Sequence, residues 1–229
     1  LPNIGLKGDY WCNPMTISPE TAVWDGSVMS IDPAGRGKDE TAYAVVKMMK
    51  GQLYLTACGG TKNGYQEDSL AVLTHVAKSQ NVNKIIVESN FGDGMFTQLL
   101  KPVLAKKHPV SIEEVRHNVQ KEKRIIDTLE PMLNQHRLVV DERVILDDYN
   151  SETELKYKLF YQLTRLTRDR GALIHDDRLD ALSIAVAYWI ETMDRDIDMA
   201  VQDHKNELLE DELDRFMEAA MGKKGNTDN

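Results

Sequence analysis

Acidic residues stand at three places where a predicted strand or helix begins or ends. Asp32 closes the segment SVMSID, and Glu88 closes the apolar segment KIIVE. The third place is the segment HDDRLDA, which supplies Asp176, Asp177 and Asp180. Taken singly, each residue also suits a turn, an exposed strand end or a helix cap. Taken together, they predict one cluster of carboxylates, and such a cluster needs a cation to stay ionised.

Carboxylate oxygens are hard ligands that suit Mg²⁺ or Mn²⁺, and water and substrate phosphate complete the coordination of these ions. Two such ions, about 4 Å apart, can activate an attacking water and stabilise the leaving oxygen when a phosphodiester is cleaved. The chemistry expected of the cluster is therefore two-metal hydrolysis of nucleic acid, which requires no serine, cysteine or histidine nucleophile.

The five carboxylates are predicted to have different roles. We expect Asp32, Glu88 and Asp177 to be catalytic, and we expect all five, with Asp176 and Asp180, to contribute to metal binding. Asp177 and Asp180 are three residues apart and share a helix face. One member of the pair Asp176 and Asp177 is expected to cap the helix, and Asp177 is expected to be the metal ligand.

The segments around these residues predict an α/β fold. SVMSID, TAYAVVKMM and QLYLTAC read as three strands of an antiparallel meander, with a hairpin turn at Lys50-Gly51. After a helix in EDSLAVLTHVAKSQ, the segment KIIVES reads as a strand buried on both faces. Helices then alternate with strands, which implies parallel crossovers. This element order is that of a ribonuclease H-like fold, with a mixed sheet of five or more strands flanked by helices.

That order also predicts where the acids meet. A meander followed by a crossover can place the first and fourth strands side by side, so that Asp32 and Glu88 lie at one sheet edge. A helix is predicted in MFTQLLKPVLAKK, bent or divided near Pro102, and the segment from Asp147 to Thr167 is ambiguous between helix and strand. The last strong helix is predicted from about Asp176 to Met193.

The chain is predicted to contain one catalytic domain with two appendages. Residues 1–23 are expected to be a linker or N-terminal extension, residues 24–193 the ribonuclease H-like domain, and residues 194–229 an acidic C-terminal tail. Within the tail, HKNELLEDELDRFMEAAM reads as a weakly amphipathic helix and GKKGNTDN as a disordered end.

The net charge of −9 is unevenly distributed. Residues from Asp194 onward carry −6, so the first 193 residues carry −3. Two stretches, Lys101–Arg124 and Lys156–Arg170, each carry +4, which suits a phosphate-facing surface, although ordinary solvated helix faces would also explain them. The candidate DNA-binding residues are Arg36, Lys38, Lys121, Lys123, Arg124, Arg165, Arg168 and Arg170.

Several other classes of site are excluded by spacing. Cys12 and Cys58 lie far apart without a CxxC motif, so neither a zinc site nor a disulfide framework is encoded, and a reducing cytoplasm is expected. The loop GRGKDET is not a Walker phosphate loop, because Asp39 rather than serine or threonine follows Lys38. The apolar run from Ala181 to Ile190 is too short for a membrane span.

Four segments resemble one family closely and in order: SIDPAGRGKDETAYAV, VESNFGDGMF, KRIIDTLEPMLNQHRLVV and GALIHDDRLDALSIAV. They are similar to the C-terminal nuclease domain of bacteriophage terminase large subunits, of the podovirus type, over roughly Trp24 to Met193. The resemblance implies an endonuclease that cuts concatemeric double-stranded DNA. It assigns Asp32, Glu88 and Asp177 to the acidic positions of the family, with Asp176 and Asp180 as neighbours.

The resemblance also implies partners: double-stranded DNA, an N-terminal packaging ATPase, a portal and a small terminase subunit, all in the host cytoplasm and none in a membrane. We expect this chain to be the nuclease part of a longer protein. Two alternatives remain from the sequence. One is a Holliday-junction resolvase or transposase-like nuclease on the same fold, and the other is a non-catalytic docking module of the packaging motor.

Overall fold

The computed structural model describes residues 23–34, 40–62, 64–89 and 94–222. Arg36 and Lys38, most of the predicted N-terminal extension and all of the predicted disordered end except Gly222 lie outside these ranges. Six strands form a single sheet in the order β5-β4-β1-β2-β3-β6. Their bounds are β1 Gly26–Asp32, β2 Thr41–Met49, β3 Gln52–Thr61, β4 Lys84–Glu88, β5 Ser111–Val115 and β6 Leu138–Val140.

The predicted meander is confirmed. β1 pairs antiparallel with β2, and β2 pairs antiparallel with β3. Lys50 and Gly51 join β2 to β3 with φ values of 52° and 76°. Two successive residues with positive φ make the kind of tight turn whose twist matches that of a hairpin, which explains the glycine at the second position.

The strands that follow the meander add to the sheet in parallel. β4 lies beside β1, β5 lies beside β4, and β6 lies beside β3 at the other edge. The predicted neighbourhood of the first and fourth strands is therefore correct, and the mixed six-stranded sheet agrees with the predicted fold class.

The helices are α1 Glu67–Ser79, α2 Met95–Lys107, α3 Lys121–Asn134, α4 Glu142–Asn150, α5 Leu159–Leu163 and α6 Asp177–Gly222, with a 3₁₀ turn at Leu155–Tyr157. Asn81 has a φ of 51° just after α1, in keeping with its prediction as a helix stop. The ambiguous segment from Asp147 to Thr167 contains no strand: it holds the end of α4, the 3₁₀ turn and α5, joined by turns and irregular residues. α2 is not divided at Pro102, and the two helices predicted after residue 176 are parts of α6.

The two faces of the sheet pack against different helices. Met29 and Ile31 lie in a core with residues of α1 and α2, such as Leu73 and Leu100. Ser30 points to the opposite face, as the alternation of a strand requires, and its hydroxyl donates to the carbonyl of Ala181 in α6 at 2.5 Å. The start of α6 is thereby held directly against the strand that carries Asp32.

The described residues up to Trp189 form one compact unit, and those from Ile190 form a second, which is helical to Gly222. The predicted domain limits at residues 23 and 193 stay predictions. None of the described helices combines the length and the apolar character that crossing a membrane would require.

Candidate metal centre

The ends of two neighbouring strands bring the first two carboxylates together. In the parallel pairing of β1 with β4, Ile31 lies opposite Val87, so the next residues along the two strands are Asp32 and Glu88. Both side chains are largely withdrawn from solvent, with exposures of 13% for Asp32 and 4% for Glu88. The strand-end argument from sequence therefore places these two residues correctly.

The first turn of α6 adds the third carboxylate. One oxygen of Asp180 lies within 4.8 Å of one oxygen of Asp32 and one of Glu88, and the Asp180 side chain is fully buried. The three oxygens form a compact group of hard ligands from three separate elements. Among the described residues, this is the group of acidic, histidine or cysteine side chains whose spacing suits a metal ion.

Asp176 and Asp177 lie at the edge of this group. Lys121 Nζ lies 2.8 Å from an oxygen of Asp176 and 3.9 Å from an oxygen of Asp177. The other oxygen of Asp177 lies 4.0 Å from Nδ1 of His175. The sequence ranked Asp177 above Asp180, but it is Asp180 whose oxygen joins those of Asp32 and Glu88. The assignment of Asp177 as a metal ligand stays a prediction.

Helix α3 directs two cations into the acidic group. Lys121 Nζ lies 3.3 Å from Asp32 and 3.1 Å from Asp180. Arg124, one turn further along, donates to Glu88 at 3.1 Å and to both oxygens of Asp180 at 2.8 and 2.9 Å. Residues three apart share a helix face, so one face of α3 carries both counter-charges.

The charges of the group alter the pKa of each member. Burial raises the pKa of Asp32 well above its usual value, because the desolvation cost and the charges of Asp180 and Glu88 outweigh the nearby Lys121. Burial likewise raises the pKa of Asp180. Burial alone would raise the pKa of Glu88 too, but the hydrogen bond with His117 and the charge of Arg124 lower it.

Lys121 responds in the opposite sense. Burial alone would lower its pKa, but Asp180 and Asp32 raise it above the usual range of a lysine, so the ammonium is held in its charged form. The site is therefore an acidic cluster whose excess negative charge is offset by protein cations.

His117 is a site residue that the sequence analysis did not select. Its Nδ1 lies 3.0 Å from Glu88 Oε1 and 2.7 Å from Nη1 of Arg124. It stands two residues after β5, the strand beside β4. The rule that selected Asp32 and Glu88, polar residues at the ends of neighbouring strands, would have found it.

The donor set fits a divalent cation. Three carboxylate oxygens within 4.8 Å of one another match the oxygen ligands that Mg²⁺ and Mn²⁺ use, and these ions need few protein ligands. Asp32, Glu88 and Asp180 are the residues that would hold the ion. An ion held by these carboxylates would compete with the contacts that Lys121 and Arg124 make to them.

The predicted DNA-binding residues have different surroundings. Lys121 and Arg124 are engaged with the acidic group, as described above. Arg168 pairs with Asp127 at 3.0 Å and with Glu130 at 3.4 Å on α3. Arg165 lies over the ring of Tyr161 at 4.1 Å. Lys123, Arg165, Arg168 and Arg170 are all exposed.

A family model described as the ribonuclease H-like domain of the bacteriophage T7 terminase matches residues 31–138. The terminase large subunit of Enterobacteria phage T3 is 44% identical over 224 residues, which are 95% of this chain. The chain spans only 38% of the length of that relative.

Solved structures support the same fold. The human cytomegalovirus terminase nuclease domain, soaked with manganese and bound to an inhibitor, has a TM-score of 0.53 at 13% identity, covering 74% of this chain and 86% of that one. A K428A mutant of the nuclease domain of gp2, the large terminase subunit of bacterial virus Sf6, has a TM-score of 0.50 at 12% identity, covering 70% and 87%. At these identities the likeness concerns the fold.

Proposed function

Because the chain belongs to the ribonuclease H-like nuclease domains of bacteriophage terminase large subunits, we propose that it is a metal-dependent endonuclease that cuts concatemeric double-stranded DNA. The observation that carries the proposal is the meeting of Asp32, Glu88 and Asp180, whose oxygens lie within 4.8 Å of one another. Three acids from two strands and a helix have no structural need to meet at one point. Their mutual repulsion and desolvation oppose folding, and a cation would offset both costs.

The proposed cofactor is Mg²⁺ or Mn²⁺, with two ions as the working stoichiometry. When bound, such ions supply an activated water and charge stabilisation for the leaving oxygen. Asp176 and Asp177 are the proposed additional ligands for the second ion. Both lie near the central group, because the ammonium of Lys121 that contacts Asp32 and Asp180 is also close to Asp176 and Asp177. The manganese used with the human cytomegalovirus and Sf6 domains makes Mn²⁺ a suitable probe for this chain.

In this proposal, Lys121 and Arg124 have two positions. In one position they neutralise the carboxylates through contacts of 2.8–3.3 Å. With the carboxylates engaged by an ion, the same ammonium and guanidinium groups become available to a substrate phosphate, for which both are suited donors. Substrate binding and charge neutralisation would then use the same helix face.

The wider DNA surface also remains a proposal. Lys123, Arg165, Arg168 and Arg170 are exposed and suit phosphate contacts. Arg36 and Lys38 follow Asp32 closely in the chain, which favours contacts near the cleavage point. Contacts of this kind carry no base sequence information, so we propose little base specificity.

The partners proposed for the whole protein follow from the family. The T3 relative extends well beyond the part matched by this chain. An ATPase domain, a portal and a small terminase subunit, acting in the host cytoplasm, are the proposed surroundings of the nuclease.

Cleavage of supercoiled plasmid tests the function directly. We expect cutting with Mg²⁺ or Mn²⁺, none in EDTA, and a loss in Asp32→Asn that exceeds the roughly 10–100-fold cost of removing a ligand's hydrogen-bond partner. Asp194→Asn is the matched control, because it removes the charge of an exposed aspartate and should cut like the wild type.

Two results would contradict the proposal. Cleavage at full rate in EDTA would show that the reaction needs no divalent metal ion. Equal cleavage rates for the wild type and Asp32→Asn would show that the acidic cluster is not the catalytic site.

A further inference from the structure

Arg178 stands between two of the acidic residues in sequence but on a different side of α6. Successive residues of an α-helix are about 100° apart around the axis, so Arg178 lies roughly 160° from Asp180. The first turn of α6 thus presents Asp180 to the acidic group on one side and a guanidinium on the other.

The guanidinium of Arg178 is held by two buried carboxylates. Its Nε donates to Glu40 Oε1 at 2.6 Å and one terminal nitrogen donates to Glu40 Oε2 at 3.1 Å, which is a two-pronged contact. The other terminal nitrogen donates to Asp148 Oδ1 at 3.4 Å. Exposures of 2% for Glu40, 6% for Arg178 and 8% for Asp148 place the whole network inside the protein.

The network joins the start of α6 to three other segments. Glu40 immediately precedes β2, and Asp148 belongs to α4. Asp148 also accepts the backbone N–H groups of Leu159 and Phe160 at the start of α5. A second link runs from the backbone N–H of Leu179 to Oε1 of Gln162 in α5, at 3.0 Å.

Gly60 in β3 lies directly against the carboxylate of Glu40. A Cβ at residue 60 in β3 would overlap the carboxylate of Glu40. Glycine at this position therefore leaves the space in which Glu40 meets Arg178.

From this geometry, and resting on the proposed metal-dependent function, we infer that Arg178 is a positioning residue for the metal centre. Held by Glu40 and Asp148, it sets the rotation of the first turn of α6, and so sets the place of the Asp180 carboxylate beside Asp32 and Glu88. It does not touch the reacting atoms.

The displacement of the Asp180 carboxylate by a rotation of α6 depends on its distance from the helix axis. A carboxylate oxygen on a helix lies about 6 Å from the axis, so a rotation of 15° displaces it by about 1.5 Å. Functional groups need to be held within roughly 0.5 Å and 10–20°. A small loss of rotational restraint at Arg178 is therefore large on the scale that metal binding tolerates.

The composition of the network supports a role beyond stability. A buried ion pair costs desolvation that its attraction barely repays, and apolar residues of similar volume often stabilise a protein as well or better. A guanidinium between two carboxylates does offer directional contacts with fixed geometry, which apolar packing lacks. Contacts with a fixed direction are what is needed to hold α6 in the rotation that places Asp180 beside Asp32 and Glu88.

The test compares Mn²⁺ affinity, measured by calorimetry, in Glu40→Gln, Arg178→Lys and Leu73→Ala. Glu40→Gln keeps the volume and Arg178→Lys keeps the charge, but each removes part of the two-pronged contact, and we expect Mn²⁺ binding to weaken about tenfold in both. Leu73→Ala is the matched control, since it destabilises the core between the sheet and α1 and should change the affinity less than about twofold at an equal or larger loss of Tm.

A second readout is independent of the metal. Hydrogen exchange at the amides of Leu179 and Asp180 should accelerate at least about tenfold relative to the middle of α6 in Glu40→Gln and Arg178→Lys, and not in Leu73→Ala. Wild-type Mn²⁺ affinity in both folded variants would overturn the inference. If the wild type itself bound no Mn²⁺, the proposed function would fail, and unchanged exchange at the two amides would then overturn the positioning role as well.

Discussion

At the scale of single residues, the main feature of the site is that its ionisable side chains are largely buried. Asp32 and Asp180 both have a raised pKa because burial and neighbouring carboxylates penalise their ionised forms. Lys121 and Arg124 offset only part of that cost. A folded state that holds such groups is less stable than it would be without them, which is a common property of functional sites.

Asp32→Asn should therefore stabilise the metal-free protein at pH 8. A folded-state pKa above the usual 3.8 means that the contribution of the Asp32 carboxyl to stability is present below 3.8 and is lost as the pH rises through the raised pKa. One pKa unit corresponds to about 1.4 kcal/mol, or roughly 3–5 °C in Tm for a domain of this size. Asparagine does not ionise, so its advantage should be present at pH 8 and vanish near pH 4.

Thermal unfolding in EDTA at both pH values measures this effect, with Asp194→Asn as an exposed control that should shift Tm little. Mn²⁺ should reverse the order at pH 8, because it stabilises the wild type by binding and has lost a ligand in the variant. A lower Tm for Asp32→Asn in EDTA at pH 8 would contradict the argument that ionising the buried Asp32 carboxyl destabilises the fold.

At the scale of elements, the register of the sheet and the start of α6 together build the site. The pairing of β1 with β4 aligns the two strand ends that carry Asp32 and Glu88. α6 must then present Asp180 to that edge, and the network of Glu40, Arg178 and Asp148 connects its first turn to β2, α4 and α5. Gly60 in β3 leaves room for the Glu40 carboxylate of this network.

Gly60→Ala tests the link between β3 and this network. The added Cβ would overlap the Glu40 carboxylate, which cannot swing aside without breaking its contact with Arg178. We expect a loss of about 1–3 kcal/mol in the free energy of unfolding, the usual cost of overpacking. Chemical denaturation of single and double variants measures it.

The control is the same substitution in a Glu40→Ala background, where the methyl group has room. The cost of Gly60→Ala should then fall to less than about half. Equal costs in both backgrounds would mean that Glu40 is not what requires glycine at residue 60.

At the scale of the whole molecule, charge is separated along the chain. The residues from Asp194 to the C-terminus carry −6 of the net −9, whereas the two stretches with a positive balance lie within the first unit. Repulsion between an acidic segment and DNA acts over about 10 Å at 0.1 M salt. If the proposed DNA surface binds duplex, we therefore expect removal of the acidic segment to strengthen that binding most at low salt.

A chain ending at Met193 should bind duplex DNA severalfold more tightly than the full chain in 50 mM salt, with a smaller difference at 200 mM. Fluorescence anisotropy with a short labelled duplex in EDTA measures binding without cleavage. Mn²⁺ affinity should be the same in both chains, which controls for damage to the site. Identical DNA affinities at every salt concentration would exclude an electrostatic effect of the tail.

Much of the architecture was predictable because its signals are local. Alternating apolar residues and the Lys50-Gly51 turn predicted the meander, and a run of apolar residues predicted β4 as a buried strand. Asp32 and Glu88 were predicted together because strand ends at one edge follow from strand order. The segment from Asp147 to Thr167 is ambiguous from sequence because its short helical pieces owe their form to contacts such as the capping of α5 by Asp148.

The sequence by itself determined most of the elements, the acidic character of the site and the resemblance to terminase nuclease domains, since periodicity, strand-end acids and ordered motifs can all be read along the chain. Only the tertiary structure decided that Asp180 meets Asp32 and Glu88, that Lys121 and Arg124 lie on the carboxylates, and that Arg178 is clamped by Glu40. These contacts join residues that lie 36 to 148 positions apart. Their geometry depends on helix rotation and side-chain direction, which no local pattern of residues encodes.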